Sequence, residues 1–136
     1  MMISTRGRYA LRVLIDLAEH CGNGYIPMKD VAERQGISLK YIEKIMPVLM
    51  KEKLIDGMHG KGGGYRLNRP PQDYRVGDIL RLTEGTLAPV ACLESCAGPC
   101  DRAEKCRTRP MWSKLERMIT DYLDSVSLAE LAEGEI

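Results

Sequence analysis

Leu54-Ile-Asp-Gly-Met-His-Gly-Lys-Gly-Gly-Gly-Tyr-Arg-Leu67 decides the architecture. Two short strand-like runs, Leu54-Ile55 and Tyr65-Arg66-Leu67, flank the glycine-rich tip Gly57–Gly64, a pattern that predicts a β-hairpin. Directly upstream, Ser38 can cap a helix running through Tyr41, Ile42, Ile45, Met46 and Leu49. Before it, Met28 to Gln35 reads as a shorter helix with Val31 and Ala32 facing inward and Gly36 as its terminator. Two helices joined by a short glycine-containing turn, followed at once by a hairpin, make a winged helix-turn-helix.

Working outward to the N-terminal side, apolar residues recur at Ala10, Val13, Leu14, Leu17 and Ala18, the spacing of a helix with one buried face between Thr5 and Cys21. Gly22-Asn-Gly24 ends it. Cys21, at the end of that stripe, is expected in the core. Pro47 lies inside the third helix, so a kink or an early end is expected there. On the other side, Pro70-Pro71 marks a boundary, and Val76, Ile79 and Leu80 form a short helix that Gly85 can close. Residues 85–108 lack hydrophobic periodicity and read as an irregular loop. A long helix follows, with Thr108 as cap and Pro110 in its first turn, and it places Trp112, Leu115, Ile119, Tyr122, Leu123 and Val126 on one face. Ser127-Leu-Ala-Glu130 fits a capping box that opens a last short helix. The expected fold is mainly α with a small β-hairpin wing: a winged-helix DNA-binding domain over residues 1–70, then a cysteine loop and dimerisation helix over residues 71–136.

Composition supports one core. At 136 residues with 44% hydrophobic content, the chain is too short for two ordinary globular domains. It has no Phe, so the core must be built mainly from Leu, Ile, Val, Met and Ala, which favours helices. The formal net charge of +1 hides an asymmetry. Residues 1–70 carry twelve Lys and Arg against seven Asp and Glu, whereas residues 71–136 carry eight against twelve. A basic half beside an acidic half points to a polyanionic partner for the first. No uninterrupted apolar stretch reaches signal-peptide or membrane-span length, so a cytoplasmic protein without membrane association is expected. In that compartment clustered cysteines indicate metal binding or redox chemistry rather than a disulfide framework.

A recognition helix needs side chains near its N-terminus that reach base edges and basic groups that hold phosphates. Ser38, Lys40, Tyr41, Glu43 and Lys44 supply these. Glu43 can accept from a cytosine amino group, Ser38 and Tyr41 can bond bases or phosphates, and Lys40 and Lys44 add electrostatic affinity. At the hairpin tip, His59 and Lys61 stand among glycines that let the backbone approach a phosphate closely. Nucleotide binding by those glycines is excluded by spacing, because no Lys-Ser or Lys-Thr follows them. Catalysis has little support, since His20 and His59 are the only histidines and no hydrolytic triad or metal-hydrolase pattern occurs.

Cys92, Cys96, Cys100 and Cys106 lie within fifteen residues. Four such thiolates can hold zinc or an iron-sulfur cluster, both of which take soft sulfur ligands from a wrapping loop. The gaps of three, three and five residues depart from the paired Cys-x-x-Cys knuckles of most zinc sites.

Ser4-Thr-Arg-Gly-Arg-Tyr-Ala-Leu-Arg12, Gln35-Gly-Ile-Ser-Leu-Lys-Tyr-Ile-Glu-Lys44, Gly60-Lys-Gly-Gly-Gly-Tyr-Arg-Leu67 and the cysteines before Cys106-Arg-Thr-Arg-Pro-Met-Trp112 together resemble the bacterial regulator family that includes IscR, NsrR and CymR. The resemblance covers nearly the whole chain. It implies a homodimer paired through the long C-terminal helix, two winged helices on a palindromic operator in double-stranded DNA, and, in many members, an iron-sulfur cluster that controls affinity. Cys92, Cys100 and Cys106 match the three family cysteines, and Cys96 is additional. The histidine that IscR-like members use as fourth ligand is replaced here by Arg109, and the acidic residue that NsrR-like members recruit near the first helix is replaced by Arg8. Cys96 is then the substitute, with the cluster type, 2Fe-2S or 4Fe-4S, left open. The expected function is a DNA-binding transcriptional regulator, a repressor, with an iron-sulfur sensor and a dimer seam carrying Leu115, Ile119, Leu123 and Val126. The alternatives are a cluster-free regulator governed by thiol oxidation or a protein partner, and a zinc-stabilised protein-interaction module.

Overall fold

The structure is a computed structural model that describes residues 2–95 and 97–136. It contains α1 (Thr5–Glu19), α2 (Met28–Gln35), α3 (Leu39–Lys51), β1 (Ile55–Met58), β2 (Gly64–Leu67), α4 (Val76–Glu84), α5 (Arg109–Ser125) and α6 (Leu128–Glu133). Single 3-10 turns at Pro71–Asp73 and Ala91–Leu93 complete the described elements. The mainly α winged helix-turn-helix expected from the sequence is the fold observed. No helix among the described residues is long and apolar enough to cross a membrane.

Local chemistry sets the boundaries. Ser4 caps α1 by accepting from the Gly7 amide, and Ser38 caps α3 by accepting from the Tyr41 amide. Gly36 closes α2 in the left-handed conformation at φ 64°. Ser127 and Glu130 form the reciprocal capping box of α6. Pro47 does not end α3: both Pro47 and Glu43, whose carbonyl loses its helical donor, lie on the exposed face, where water can replace the bond. α1 stops at Glu19, just past the last apolar residue of its stripe and short of Cys21. Cys21 therefore falls in the turn beyond the helix and is exposed, not a core residue.

The main core joins Ala10, Val13, Leu14 and Leu17 of α1 to Val31, to Ile42, Ile45, Met46 and Leu49 of α3, and to Ile55 of the wing. Ile79 and Leu128 from beyond Pro70 enter the same core, Leu128 being fully buried. Two backbone bonds fix this return, Val76 N to Val126 O and Leu128 N to Tyr74 O, both 2.9 Å. Burial of a leucine side chain contributes about 2 kcal/mol, so α6 holds the C-terminal segment onto the N-terminal half.

A second cluster, Val76, Leu80, Leu87 and Val126, receives Ile119 and Leu123 of α5. Arg81 reinforces it by donating to both Asp124 carboxylate oxygens at 2.9 and 2.8 Å. The helices pass so closely that a Cβ on Gly77 would stand 1.9 Å from Asp124 Oδ1. The residues expected in the seam on α5 divide between this cluster and the surface. Ile119, Leu123 and Val126 pack within the chain, while Met111, Leu115, Met118 and Tyr122 stay exposed, at 53, 37, 60 and 58%. Their spacing of four, three and four residues makes one continuous apolar stripe on the outer side of α5.

Candidate nucleic-acid interface and cysteine loop

The recognition helix is held from behind. Tyr41, in the first turn of α3, is half-buried, and its ring meets Tyr9 of α1 edge to face, with centroids 5.3 Å apart and planes at 74°. Arg12 lies over the Tyr9 ring at 5.3 Å and donates through Nε to Gln35 Oε1 at 3.4 Å and through Nη2 to the Gln35 carbonyl at the end of α2. Lys40, Glu43 and Lys44 are exposed along the first two turns, and Ser38 is exposed at the cap. Five sequence-selected residues of α3 thus share its N-terminal half, four exposed and Tyr41 turned partly inward.

A buried charge sets the angle between α1 and α2. Asp16, 1% exposed, accepts from Arg34 Nε and Nη2 at 3.0 and 2.7 Å and from Gln35 Nε2 at 3.1 Å. Burial pushes its carboxyl up, but the Arg34 and Gln35 hydrogen bonds and the Arg34 charge outweigh that and hold the pKa below the ordinary carboxylate value.

The wing is more than a two-residue-wide hairpin. β1 and β2 pair antiparallel from Ile55 with Leu67 to Met58 with Gly64. Ile26 adds a bridge on the other edge, exchanging bonds of 2.8 and 2.9 Å with Tyr65. Gly64, at φ 149°, makes that approach possible: a Cβ there would stand 2.1 Å from the Ile26 carbonyl oxygen. At the base, Lys53 adopts φ 59°, and its carbonyl accepts from Asn68 Nδ2 at 2.7 Å and Arg69 Nη2 at 2.9 Å. Tyr74 donates to the Leu54 carbonyl at 2.5 Å. These bonds clamp the wing where it leaves α3. At its tip His59 and Lys61 are exposed, His59 before Gly60 and Lys61 between Gly60 and Gly62, whose φ are 89° and 78°. The wing tip and the α3 face therefore offer separate sets of donors.

Sequence reasoning missed Tyr9, Arg12, Asp16 and Arg34, which set α1 against α2 and α3. The available signal was Asp16 itself, a charge inside an apolar stripe.

The loop between α4 and α5 contains the cysteines. Cys92, in the 3-10 turn, and Cys100 line a cleft of about 440 Å³ together with Glu94, Pro99 and Arg109. Cys106 precedes α5, with its Sγ 3.3 Å from Thr108 Oγ1. Hydrogen bonds from the Thr108 hydroxyl and from the Thr108 and Arg109 backbone hold the Cys106 thiol below its ordinary pKa, toward the thiolate that binds metal. Cys96 lies outside the described residues. Among the described residues, no three Cys, His, Asp or Glu side chains are gathered for a metal ion. The donor set still fits an iron-sulfur cluster chemically: Cys92 and Cys100 are exposed, Cys106 is biased to thiolate, and the loop joining them is irregular. Ligation then requires this loop to close. Arg109 shares the cleft but has no lone pair to give a metal, and Arg8 is exposed and bonded to Thr5.

A model of the Rrf2 family, described as iron-dependent transcriptional regulator, matches residues 3–134. The HTH-type transcriptional regulator IscR of Sodalis glossinidius is 34% identical, covering 99% of this chain and 81% of its own length. Its counterpart in Aliivibrio salmonicida is 36% identical, covering 96% and 77%. Of solved structures, CymR, the global cysteine regulator of B. subtilis, aligns with a TM-score of 0.82 at 33% identity over 98% of this chain and 97% of that one. IscR of T. potens aligns at 0.77 and 34% identity over 100% and 89%. A chain that carries the winged helix of these regulators and matches their family model almost end to end is a DNA-binding transcriptional regulator rather than an enzyme. It belongs to the Rrf2 family.

Proposed function

We propose that the protein is a cytoplasmic repressor that binds a palindromic operator as a homodimer, with affinity set by an iron-sulfur cluster on the cysteine loop. Residues 1–70 read the DNA; residues 71–136 provide the sensor and the dimer contact. Glu43 and Ser38 address base edges in the major groove, Lys40 and Lys44 the flanking phosphates, and His59 and Lys61 the neighbouring groove. Tyr41 presents its hydroxyl edge while its ring stays against Tyr9.

The observation that carries the sensor reading is that one irregular loop exposes Cys92 and Cys100 on a shared cleft and holds Cys106 beside Thr108 at the start of α5. These three would hold the cluster, with Cys96 as the additional ligand. When bound, the cluster supplies redox and oxygen sensitivity. The chain's part is to close residues 85–108 around it, and a ligand alters DNA affinity only if it favours one loop arrangement over the other. The lowered pKa of the Cys106 thiol, bonded to Thr108, favours a second reading, regulation by oxidation of the thiols without a cluster.

Anaerobic reconstitution followed by absorption spectra and iron and sulfide assays tests the assignment. Wild type should take up iron and sulfide, and Cys92→Ala, Cys100→Ala and Cys106→Ala should each lose most of it. Operator affinity should differ between loaded and apo protein. Full cluster content in Cys96→Ala would place the fourth ligand elsewhere, and a wild type that binds no iron would leave the thiol reading.

A further inference from the structure

We propose that Glu84 is the positioning residue that joins the cysteine loop to the recognition helix. The inference rests on the reading of that loop as the sensor. Glu84 is the last residue of α4, and Gly85, its cap, opens the loop. The Glu84 carboxylate accepts from the Ser4 amide at 2.5 Å and from the Ser4 hydroxyl at 2.8 Å. Ser4 is the N-cap of α1, and its Oγ accepts in turn from the Gly7 amide at 3.0 Å. Beside it, Arg6 donates to the Thr83 carbonyl at 2.9 Å. The two helix ends have no slack between them, since a Cβ on Gly7 would stand 2.7 Å from Glu84 Oε2 and 3.0 Å from Thr83 Oγ1.

α1 is pinned a second time, toward its other end, by the bonds of Asp16 to Arg34 and Gln35. Tyr9 and Arg12 lie between the two pins, against Tyr41 and Gln35. A closely packed helix held at both ends transmits displacement instead of absorbing it. Movement of the α4 terminus, where the loop begins, therefore tilts the N-terminal half of α1 about Asp16. That tilt moves Tyr9 against the first turn of the recognition helix, so two arrangements of the loop become two settings of α3.

The test compares wild type, Glu84→Ala and Glu84→Gln, apo and reconstituted, for bound iron, affinity for operator and for a scrambled duplex, and amide exchange in α1 and α3. Glu84→Ala should keep the iron content, exchange the Gly7 and Arg8 amides faster, lose about fivefold in apo discrimination between operator and scrambled duplex, and no longer respond to loading. Glu84→Gln, still able to accept from the Ser4 amide, should recover much of the response. If Glu84→Ala fails to fold, Ser4→Ala, which removes the hydroxyl's bonds to Glu84 and to the Gly7 amide but keeps the Ser4 amide bond, is judged by iron content, discrimination and response to loading. A variant that responds to loading as wild type does overturns the joint and leaves the sensor intact. A wild type that does not respond overturns the sensor, and the joint with it.

Discussion

Asp16 lies on a helix face otherwise made of Val13, Leu14 and Leu17, and its charge is sustained there by donors that arrive from α2. Replacing the carboxylate by an amide removes the charge and one of the two oxygens that accept from Arg34 and Gln35. Arg34 keeps 37% of its side chain exposed, so water recovers part of that loss. We expect Asp16→Asn to cost about 2 kcal/mol at neutral pH. Because the folded-state pKa of Asp16 is lowered, its contribution is present above the unfolded carboxylate value and disappears as pH falls through the folded one. Urea unfolding at pH 7 and at pH 3 should therefore show the gap between wild type and Asp16→Asn shrinking in acid. Other carboxylates with lowered pKa values, Glu84 and Asp124, are common to both proteins and cancel. A gap that is constant or grows in acid would show that the Asp16 charge contributes nothing. From sequence alone Asp16 reads only as an interruption of the apolar stripe, because its partner Arg34 is eighteen residues away and no local rule connects them.

Most elements were legible because their signals are local. The caps at Ser38 and Ser127, the terminators Gly36 and Gly85, and the glycine-rich wing tip each act within a few residues, and each appears where its chemistry requires. The orientation of α5 was not legible. Its apolar residues cover more than one face, and helical period alone cannot tell the face packed on α4 from the face left open. The cysteine spacing was likewise readable, but whether the loop gathers the sulfurs depends on contacts that spacing does not encode. The two faces of α5 separate in experiment. Leu115→Lys combined with Met118→Lys places charge in the exposed stripe and should give a folded monomer, with helical content preserved in circular dichroism and half the mass in light scattering. Ile119→Lys instead drives a charge into the cluster of Val76, Leu80, Leu87 and Val126, and should lower the melting temperature at every protein concentration. Dimers that persist in the double variant would show that the outer stripe is not the seam.

The basic half and the acidic half nearly cancel in net charge, but they are divided between the part proposed to meet DNA and the part proposed to meet a second copy. Along α5 the division repeats. Lys114 and Arg117 stand toward its N-terminal side and Asp121 and Asp124 toward its C-terminal side, although Asp124 is engaged by Arg81. An antiparallel pairing of two stripes would bring Lys114 and Arg117 near Asp121 of the other copy, whereas a parallel one would align like charges. Within one copy, Arg81 and the close passage at Gly77 bind α5 to α4, and Glu84 binds α4 to α1, so each winged helix is held in a defined position relative to the seam. In the proposed dimer this arrangement would measure distance along the duplex. Half-sites must face the same side, about 34 Å apart or a multiple of it. Inserting five base pairs between them turns one half-site through roughly half a helical turn. Affinity should then fall to that of a single half-site, and the slope of log affinity against log salt should fall by about half, because only one winged helix still neutralises phosphates. The Leu115→Lys, Met118→Lys monomer should bind the original and lengthened operators equally, at that same single-site level, in a fluorescence anisotropy titration. If wild type binds both operators with equal affinity and equal slope, the two winged helices are not rigidly tied to the seam, and the chain of contacts from α5 through α4 to α1 does not set their spacing.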